Sequence, residues 1–212
     1  MEYRYWNILC EGPSEESFVN QVMNPYLESY GIYMTPITLG GVARYSGIRK
    51  ELKRIGKDTS CGLTTMLDYY KLPQDTPGIR DCHVSQPEVI ARNIEAALKE
   101  DLEPELNCKI FLPNLLMHEY EALLFSDVSC FSKCRGVTQP MIREFMKICA
   151  NYATPEYINN SEQTAPSKRI LTLYPEYQKV TDGTIIAKTI GIGKMMEQCP
   201  HFNEWLQNII NS

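Results

Sequence analysis

The hydrophobic pattern of the first 127 residues predicts strands and helices in alternation. Short apolar runs that predict strands lie at residues 3–10, 32–38, 61–68 and 108–112. Segments with apolar residues at helical spacing lie at residues 15–30, 46–56, 86–102 and 118–126. Strands and helices in this order are typical of an α/β fold whose sheet is at least partly parallel.

Individual residues sharpen several of these boundaries. Ser14 is a good N-cap and puts Glu15 in the first helical turn, where the helix dipole favours an anion. Gly31 suits the position that ends a helix. Pro36 predicts that the second strand lies at an edge of the sheet, and Ser46 can cap the next helix. The third strand is apolar enough to be central.

The chain after about residue 128 has a different pattern. Helical segments, separated by loops rich in Asn, Thr and Pro, lie at residues 139–152, 166–174, 184–198 and 201–211. They could form a separate helical subdomain or pack on the same sheet. We expect an α/β domain over residues 1–127 and a helical C-terminal extension over residues 128–212, packed on it.

Composition narrows the class of protein. The chain has 212 residues, of which 43% are hydrophobic, and this is enough for one good core. No apolar run approaches the roughly 20 residues that cross a bilayer, and no signal peptide is recognisable. We therefore expect a cytoplasmic protein without a membrane partner. The net charge of −5 argues against broad binding to a nucleic-acid backbone, but not against an enzyme that reaches phosphates through bound metal.

Acidic residues follow three of the predicted strands. Glu11 ends the first strand, Asp68 ends the third, and Glu119 and Glu121 follow the fourth. In a parallel sheet these strand ends converge on one crevice, where carboxylates can hold Mg²⁺. Such a metal site can polarise a phosphodiester and activate water. Each acid also has an ordinary alternative, as a turn former or a helix-dipole partner. His118 could be a metal ligand, a base or a packed histidine.

Basic residues cluster in the C-terminal part of the sequence. The stretch Pro166-Ser167-Lys168-Arg169 is either an ordinary helix start or a phosphate clamp at a helix N-terminus. Further lysines flank glycines and could extend this basic patch, namely Lys179, Lys188 and Lys194.

Several of these stretches together resemble a known family. They are Glu11-Gly12-Pro13-Ser14-Glu15, Thr64-Thr65-Met66-Leu67-Asp68-Tyr69-Tyr70, Leu72-Pro73, Pro77-Gly78, His118-Glu119-Tyr120-Glu121-Ala122-Leu123-Leu124-Phe125, Pro166-Ser167-Lys168-Arg169, Cys199-Pro200-His201-Phe202 and Trp205-Leu206. In this order they resemble a bacterial family of unknown function, numbered 4276. That family is similar to Toprim domains, the metal-binding α/β fold of primases, type II topoisomerases and related nucleases. Its members are often encoded beside ABC-type or AAA ATPases in anti-phage loci.

The resemblance assigns roles to individual residues. The Toprim pattern has a Glu after the first strand, which Glu11 matches, and an Asp-x-Asp after the third, of which Asp68 matches the first Asp. Tyr70 stands in place of the second Asp. Glu119 or Glu121 could supply the missing ligand, and Glu15 could also contribute. If none does, the site would bind one metal weakly or the protein would be a non-catalytic partner. The implied catalytic residues are Glu11, Asp68, Glu119 and Lys168. The implied metal ligands are Glu11, Glu15, Asp68, Glu119 and Glu121. From their place in the basic patch, we expect Arg169 and Lys188 to bind substrate.

The expected function is therefore that of a Toprim-like nuclease. It would hydrolyse phosphodiester bonds in DNA or RNA with Mg²⁺ or Mn²⁺, as an effector of an anti-phage system that includes an ABC/AAA-type ATPase partner. Two alternatives stay open. One is a catalytically inactive adaptor subunit of the ATPase complex, which the loss of the second Asp favours. The other is a hydrolase of small phosphorylated molecules.

Overall fold

The fold is a parallel β-sheet with helices on both faces. The computed structural model describes residues 3–41, 44–79, 87–159 and 164–212. Its strands are β1 (Arg4–Cys10), β2 (Ile32–Thr38), β3 (Gly62–Asp68), β4 (Phe111–Leu112) and β5 (Leu115–Leu116). They form a five-stranded sheet in the order β2-β1-β3-β4, and β5 also pairs with β3. Every pairing is parallel, so the predicted α/β class with a mostly parallel sheet is confirmed.

Nine α-helices lie in the described part of the chain. They are α1 (Pro13–Phe18), α2 (Asn24–Leu27), α3 (Tyr45–Ile55), α4 (Pro87–Leu102), α5 (Gln139–Cys149), α6 (Pro166–Leu173), α7 (Thr181–Ile190), α8 (Ile192–Gln198) and α9 (Pro200–Asn211). A π-helical turn at Val19–Met23 joins α1 to α2. None of the described helices is both long and apolar enough to span a membrane.

The order of the strands reverses between β1 and β3. From β1 the chain passes through α1 and α2 to β2 on one side, and then through α3 to β3 on the other side of β1. In open parallel sheets ligands bind at such a reversal, outside the carboxyl ends of the two strands. Glu11 directly follows β1, and Asp68 is the last residue of β3. Both acids therefore lie at the position where this fold places a site.

The two faces of the sheet bury different sets of helices, because alternate residues of a strand point to opposite faces. Ile8 of β1 and Met66 of β3 belong to a large apolar cluster with α1 and the C-terminal helices. Leu9 and Leu67 belong to a second cluster, formed with α3 and α4. Phe145, Ile186 and Leu206, all after residue 128, are packed in the same cluster as Ile8.

The first three predicted strands are confirmed, but the fourth is shorter than predicted. β2 lies at an edge, β3 is central, and Gly31 has the left-handed conformation with φ 64°. The fourth run forms β4 only at Phe111–Leu112, without residues 108–110, and Pro113 and Asn114 separate β4 from β5. Between β4 and β5 the Thr65 hydroxyl replaces the missing backbone hydrogen bonds to β3. It donates to the Asn114 carbonyl at 2.6 Å and accepts from the Asn114 amide at 2.9 Å.

The predicted serine caps of two helices are wrong. α1 begins at Pro13 with Gly12 at the N-cap, and the carboxylate of Glu15 accepts the Gly12 amide at 3.1 Å. α3 begins at Tyr45, before Ser46, and the side chain of Asp75 accepts the Tyr45 amide at 3.0 Å. In the second case an acid from a distant loop caps the helix, which local sequence cannot indicate.

Three predicted helices differ from the structure in type or continuity. The segment predicted as one helix over residues 15–30 consists of α1, a π-helical turn, α2 and a 3₁₀ turn at Glu28–Tyr30. The segment predicted to begin a helix at residues 118–126 is 3₁₀-helical over Tyr120–Lys133, with a kink at Asp127. The segment predicted as one helix over residues 184–198 is two helices, α7 and α8. They are separated by Gly191, whose φ of 77° an α-helix cannot contain.

Candidate functional site

The first acidic group is the pair Glu11 and Asp68, joined by Lys71. The amide of Asp68 donates to Oε1 of Glu11 at 2.7 Å, so the end of β3 is tied to the residue that follows β1. Lys71, in the 3₁₀ turn after β3, places its ammonium 2.9 Å from Oε2 of Glu11 and 3.3 Å from Oδ2 of Asp68. The predicted convergence of these two carboxylates is therefore present, with one cation between them.

Burial and mutual repulsion set the electrostatics of this group. Burial raises the pKa of the Asp68 carboxyl to about 7, and the charge of Glu11 adds to the shift while Lys71 opposes it. Burial also lowers the pKa of Lys71, but the charges of Asp68 and Glu11 outweigh burial and hold it above its ordinary value. The group thus contains an acid that titrates near neutrality and a lysine that stays charged.

The first acidic group fits a single divalent cation. Two carboxylate oxygens on neighbouring strands already hold one positive charge, the Lys71 ammonium. The Lys71 side chain is 56% exposed, so it can move aside without unfolding its turn. Mg²⁺ in proteins commonly uses one or two carboxylates and keeps several waters. Among the described residues no group of three or more His, Cys, Asp or Glu side chains is arranged around one metal position.

Glu15 lies between the first acidic group and the acids of the 3₁₀ segment. Burial raises the pKa of its carboxyl, and the charges of Glu11 and Glu121 contribute to this shift. One of its oxygens caps α1 through the Gly12 amide. Glu15 is thus near enough to Glu11 to affect the site electrostatically, while its hydrogen bond to the Gly12 amide is structural.

The second acidic group consists of Glu119 and Glu121 with Lys179. Oε2 of Glu119 accepts the Ser167 amide at 2.8 Å, and Oε1 accepts the Ser167 hydroxyl at 3.0 Å. Ser167 is buried in the first turn of α6, so Glu119 caps this helix from a different segment of the chain. The contact joins two motifs of the sequence, the acidic one around Glu119 and the one that begins at Pro166.

Glu121 is held in the interior of the protein. Its side chain is only 3% exposed and lies 3.0 Å from the ammonium of Lys179. Burial raises the pKa of Glu121, while Lys179 opposes the shift and the charge of Glu119 adds to it. The nearby hydroxyl of Tyr177 is buried with no hydrogen-bond partner among the described residues. Glu121 is thus a buried acid with one cation partner, remote from bulk solvent.

The predicted basic residues do not converge on one position, and two of them, Arg169 and Lys188, have partners of their own. Lys168 is exposed, and its ammonium has no hydrogen bond or ion pair to the described residues. The guanidinium of Arg169 donates to the carbonyl of Thr164 at 2.7 Å and to the hydroxyl of Tyr152 at 2.8 Å, and also lies over the Tyr152 ring. The ammonium of Lys188 donates to Gln21 at 2.7 Å. Arg169 therefore has a structural partner, and Lys168 is the cation of this set that is free to meet a substrate.

Tyr70 occupies the place of the second Asp in the resemblance. It is 55% exposed, its amide donates to Oδ1 of Asp68 at 2.9 Å, and its ring lies 5.1 Å from that of His118. Burial lowers the pKa of His118 to about 4, so its imidazole is neutral at physiological pH. His201 is buried and paired with Glu95 at 2.8 Å, as expected of a structural histidine, and His83 lies outside the described residues.

Sequence reasoning missed Lys71 and misassigned Lys179. Lys71 follows Asp68 by three residues, a spacing at which a lysine can reach back to a carboxylate, and this was the available signal. Lys179 was expected to extend a basic patch, but it pairs with Glu121, 58 positions earlier in the chain. No local pattern could indicate that pair.

A pocket of about 250 Å³ opens beside the first acidic group. Glu11 and Lys71 form its polar edge, and Gly40 and Gly41, which follow β2, form part of its wall. The rest of the wall is aliphatic and proline side chains, namely Leu39, Ile48, Leu67, Leu72 and Pro73. The pocket therefore continues the carboxyl edge of the sheet from the acid pair toward β2.

The comparisons with known proteins identify a family but no activity. Residues 10–210 match the family described as Domain of unknown function (DUF4276), so the chain belongs to that family. No curated protein matches the chain, and no solved structure matches it. The family predicted from the motifs is thus confirmed, and its relation to Toprim domains stays a prediction.

Proposed function

We propose that this member of the DUF4276 family is a metal-dependent phosphodiesterase, a Toprim-like nuclease that acts on DNA or RNA. One observation carries the proposal. Glu11 and Asp68 lie at the carboxyl ends of two adjacent parallel strands, at the reversal of strand order, and share one cation. Such a pair can hold one Mg²⁺ or Mn²⁺ together with water.

The proposed roles follow from the geometry of the chain's own residues. A bound divalent ion would polarise a phosphodiester and lower the pKa of water. Glu11 is partly exposed, so its carboxylate can accept a proton from a water molecule once Lys71 moves away. Lys71 is held charged, and beside the site it can stabilise negative charge on the phosphate. Lys168 can contribute a further contact to phosphate.

The biological setting of the proposal rests on the resemblance. We propose that the protein acts in anti-phage defence with an ABC/AAA-type ATPase partner, and that the ATPase supplies affinity for nucleic acid. The net charge of −5 favours nucleic-acid binding by the partner rather than by this chain, because an acidic chain is repelled by phosphate backbones. Lys71 suits an effector held inactive until it is triggered, since its ammonium occupies the space between the two carboxylates.

A second candidate function is a non-catalytic adaptor of the ATPase. Tyr70 in place of an acid favours it, and so do the partners of Glu119 and Glu121, which occupy these two carboxylates. No group of three or more His, Cys, Asp or Glu side chains in the described part of the chain could hold a metal ion. An adaptor would need no metal, so metal binding distinguishes the two functions.

The test measures metal binding and cleavage on the same variants. Calorimetric titration with Mn²⁺ would compare wild type with Glu11→Gln and Asp68→Asn, and with Glu100→Gln as a matched control on the exposed face of α4. Plasmid DNA and total RNA would then be incubated with each variant and Mg²⁺ or Mn²⁺, with and without the ATPase. We expect Mn²⁺ binding and cleavage in wild type and in Glu100→Gln, and neither in the two site variants. Two results together would establish the adaptor instead. Glu11→Gln and Asp68→Asn would bind Mn²⁺ as wild type does, and no mixture in which the protein forms a complex with the ATPase would cleave DNA or RNA.

A further inference from the structure

We propose that the pocket beside the first acidic group binds an unpaired nucleobase of the substrate. The inference rests on the proposed function, because it assigns the scissile phosphate to Glu11 and Asp68. It goes beyond that function by naming the substrate class, a single-stranded or flipped-out nucleotide.

The position of the pocket supports this assignment. Glu11 and Lys71 belong both to the acid pair and to the edge of the pocket. A phosphate held at the pair therefore lies at the entrance of the pocket, and a group joined to it through one sugar can reach inside. The pocket continues toward Gly40 and Gly41 at the end of β2, along the edge where α/β sheets bind nucleotides.

The chemistry of the wall suits a flat heterocycle. The aliphatic side chains of Leu39, Ile48 and Leu72 can cover the faces of a base, and the ammonium of Lys71 can meet its polar edge. A phosphate group alone would gain nothing from such walls. Sites for small ligands characteristically combine mostly apolar walls with a few polar groups, as here.

The size of the pocket excludes a base that stays paired. A cavity of about 250 Å³ cannot admit a duplex, whose bases are stacked and enclosed by two backbones. Enzymes that bind a base in a pocket act on single strands or extrude the nucleotide from the helix. The pocket therefore predicts a preference for unpaired nucleotides over continuous duplex.

Gly41 allows the pocket to be blocked without disturbing the fold. A Cβ built at Gly41 meets no heavy atom of the described residues within 4 Å, and the φ of Gly41 is not positive. Gly41→Trp should therefore fold and fill the pocket. Leu39→Asp is a second variant, which puts a carboxylate into the wall at a partly exposed position. Gly193→Trp is the matched control, because Gly193 is exposed on α8 with equally open space around it.

The experiment measures binding of labelled oligonucleotides by fluorescence anisotropy, with Ca²⁺ replacing Mg²⁺ to prevent cleavage. The probes are a single strand in DNA and RNA form, the matching duplex, and unlabelled mononucleotides as competitors. We expect both pocket variants to bind the single strand roughly tenfold more weakly than wild type, because the base loses its apolar contacts with the wall. Gly193→Trp should bind like wild type, and wild type should bind the duplex more weakly than the single strand.

The outcomes separate this inference from the proposed function. Unchanged single-strand binding in both pocket variants, with cleavage still dependent on Glu11, would overturn the pocket and leave the nuclease. Wild-type duplex binding as strong as single-strand binding would also overturn it. Pocket variants that lose binding of mononucleotides, in a protein that cleaves no polymer, would support the pocket and overturn the nuclease.

Discussion

The two acidic groups at the carboxyl edge of the sheet contain the same residue types but have different kinds of partner. In the first group, Glu11 and Asp68 share Lys71, an exposed lysine that can leave. In the second group, Glu119 is bound by the amide and hydroxyl of buried Ser167, and Glu121 is buried against Lys179. Glu119 is held by atoms of the packed structure and Glu121 is itself buried, whereas Glu11 is partly exposed and its partner Lys71 is exposed. Glu11 is therefore more open to a ligand than either acid of the second group.

This difference teaches how to separate structural from functional acids. An acid that caps a helix stabilises the fold, so its removal should lower the free energy of unfolding. Two acids that are held close together away from water repel each other, so neutralising one of them should raise the free energy of unfolding. Stability measurements on the two groups should therefore give opposite signs, and three predictions test this, from the largest effect to the smallest.

The largest effect is expected from Glu119→Ala. The change removes two hydrogen bonds to a charged acceptor and leaves the buried amide and hydroxyl of Ser167 without a partner. We expect the free energy of unfolding to fall by roughly 3 kcal/mol, as measured by urea denaturation. Glu197→Ala is the control, because Glu197 is exposed and contacts the side chains of Lys194 and Gln198 at the surface, so its loss should leave stability nearly unchanged. Native stability in Glu119→Ala, combined with loss of Mn²⁺ binding, would move Glu119 into the metal site.

A smaller effect, and a sharper contrast, is expected from the two lysines. Lys179→Met leaves the buried carboxylate of Glu121 without its cation, and should cost roughly 2 kcal/mol, less than for a fully buried pair because Lys179 is half exposed. Lys71→Met should change stability little, because Asp68 can take up a proton instead. At pH 8 it should also tighten Mn²⁺ binding, since no ammonium has to be displaced. Urea denaturation and calorimetric titration of both variants test this. Equal losses of stability in the two variants would remove the distinction between the groups.

The smallest effect, and the one with opposite sign, is expected from Asp68→Asn. The pKa of Asp68 is about 7 in the folded protein, above the value of about 3.9 in an unfolded chain. The folded state therefore holds the proton of Asp68 more tightly than the unfolded chain does. The stabilisation that comes from this bound proton is present below pH 4 and is lost as the pH rises to 7. Asparagine does not ionise, so Asp68→Asn should match wild type near pH 4 and exceed it at pH 8, by at least about 1 kcal/mol of the roughly 4 kcal/mol that the difference between the two pKa values allows.

Thermal denaturation across this pH range provides the measurement. The melting temperature of Asp68→Asn at pH 8 should be higher than that of wild type by at least about 3 °C, the shift that 1 kcal/mol produces in a protein of this size. A variant that is less stable than wild type at pH 8 would show that Asp68 is a structural acid, like Glu119. The same pKa predicts that Mn²⁺ binding to wild type tightens between pH 6 and 8, because the metal requires the ionised carboxylate.

Much of the fold could be predicted from local pattern. The strands β1, β2 and β3 follow from apolar runs, and the edge position of β2 follows from Pro36. The helix at Pro87–Leu102 follows from its apolar spacing. At two of the places where prediction failed, a distant residue had replaced a local one. Asp75 caps α3, and the side chain of Thr65 substitutes for the ladder at the break between β4 and β5.

The sequence by itself determined the alternation of strands and helices, the family, and the convergence of Glu11 with Asp68. The alternation follows from short-range periodicity, and the family follows from the resemblance of several motifs along the chain. The convergence follows because both acids are adjacent to strand ends and parallel strands end at one edge. Only the tertiary structure decided which acids are free, because the partners of Glu119 and Glu121 lie 48 and 58 residues away in the chain. It also decided the pocket, since its wall is assembled from β2, α3 and the turn after β3. Contacts between distant segments depend on the packing of whole elements, which periodicity does not encode.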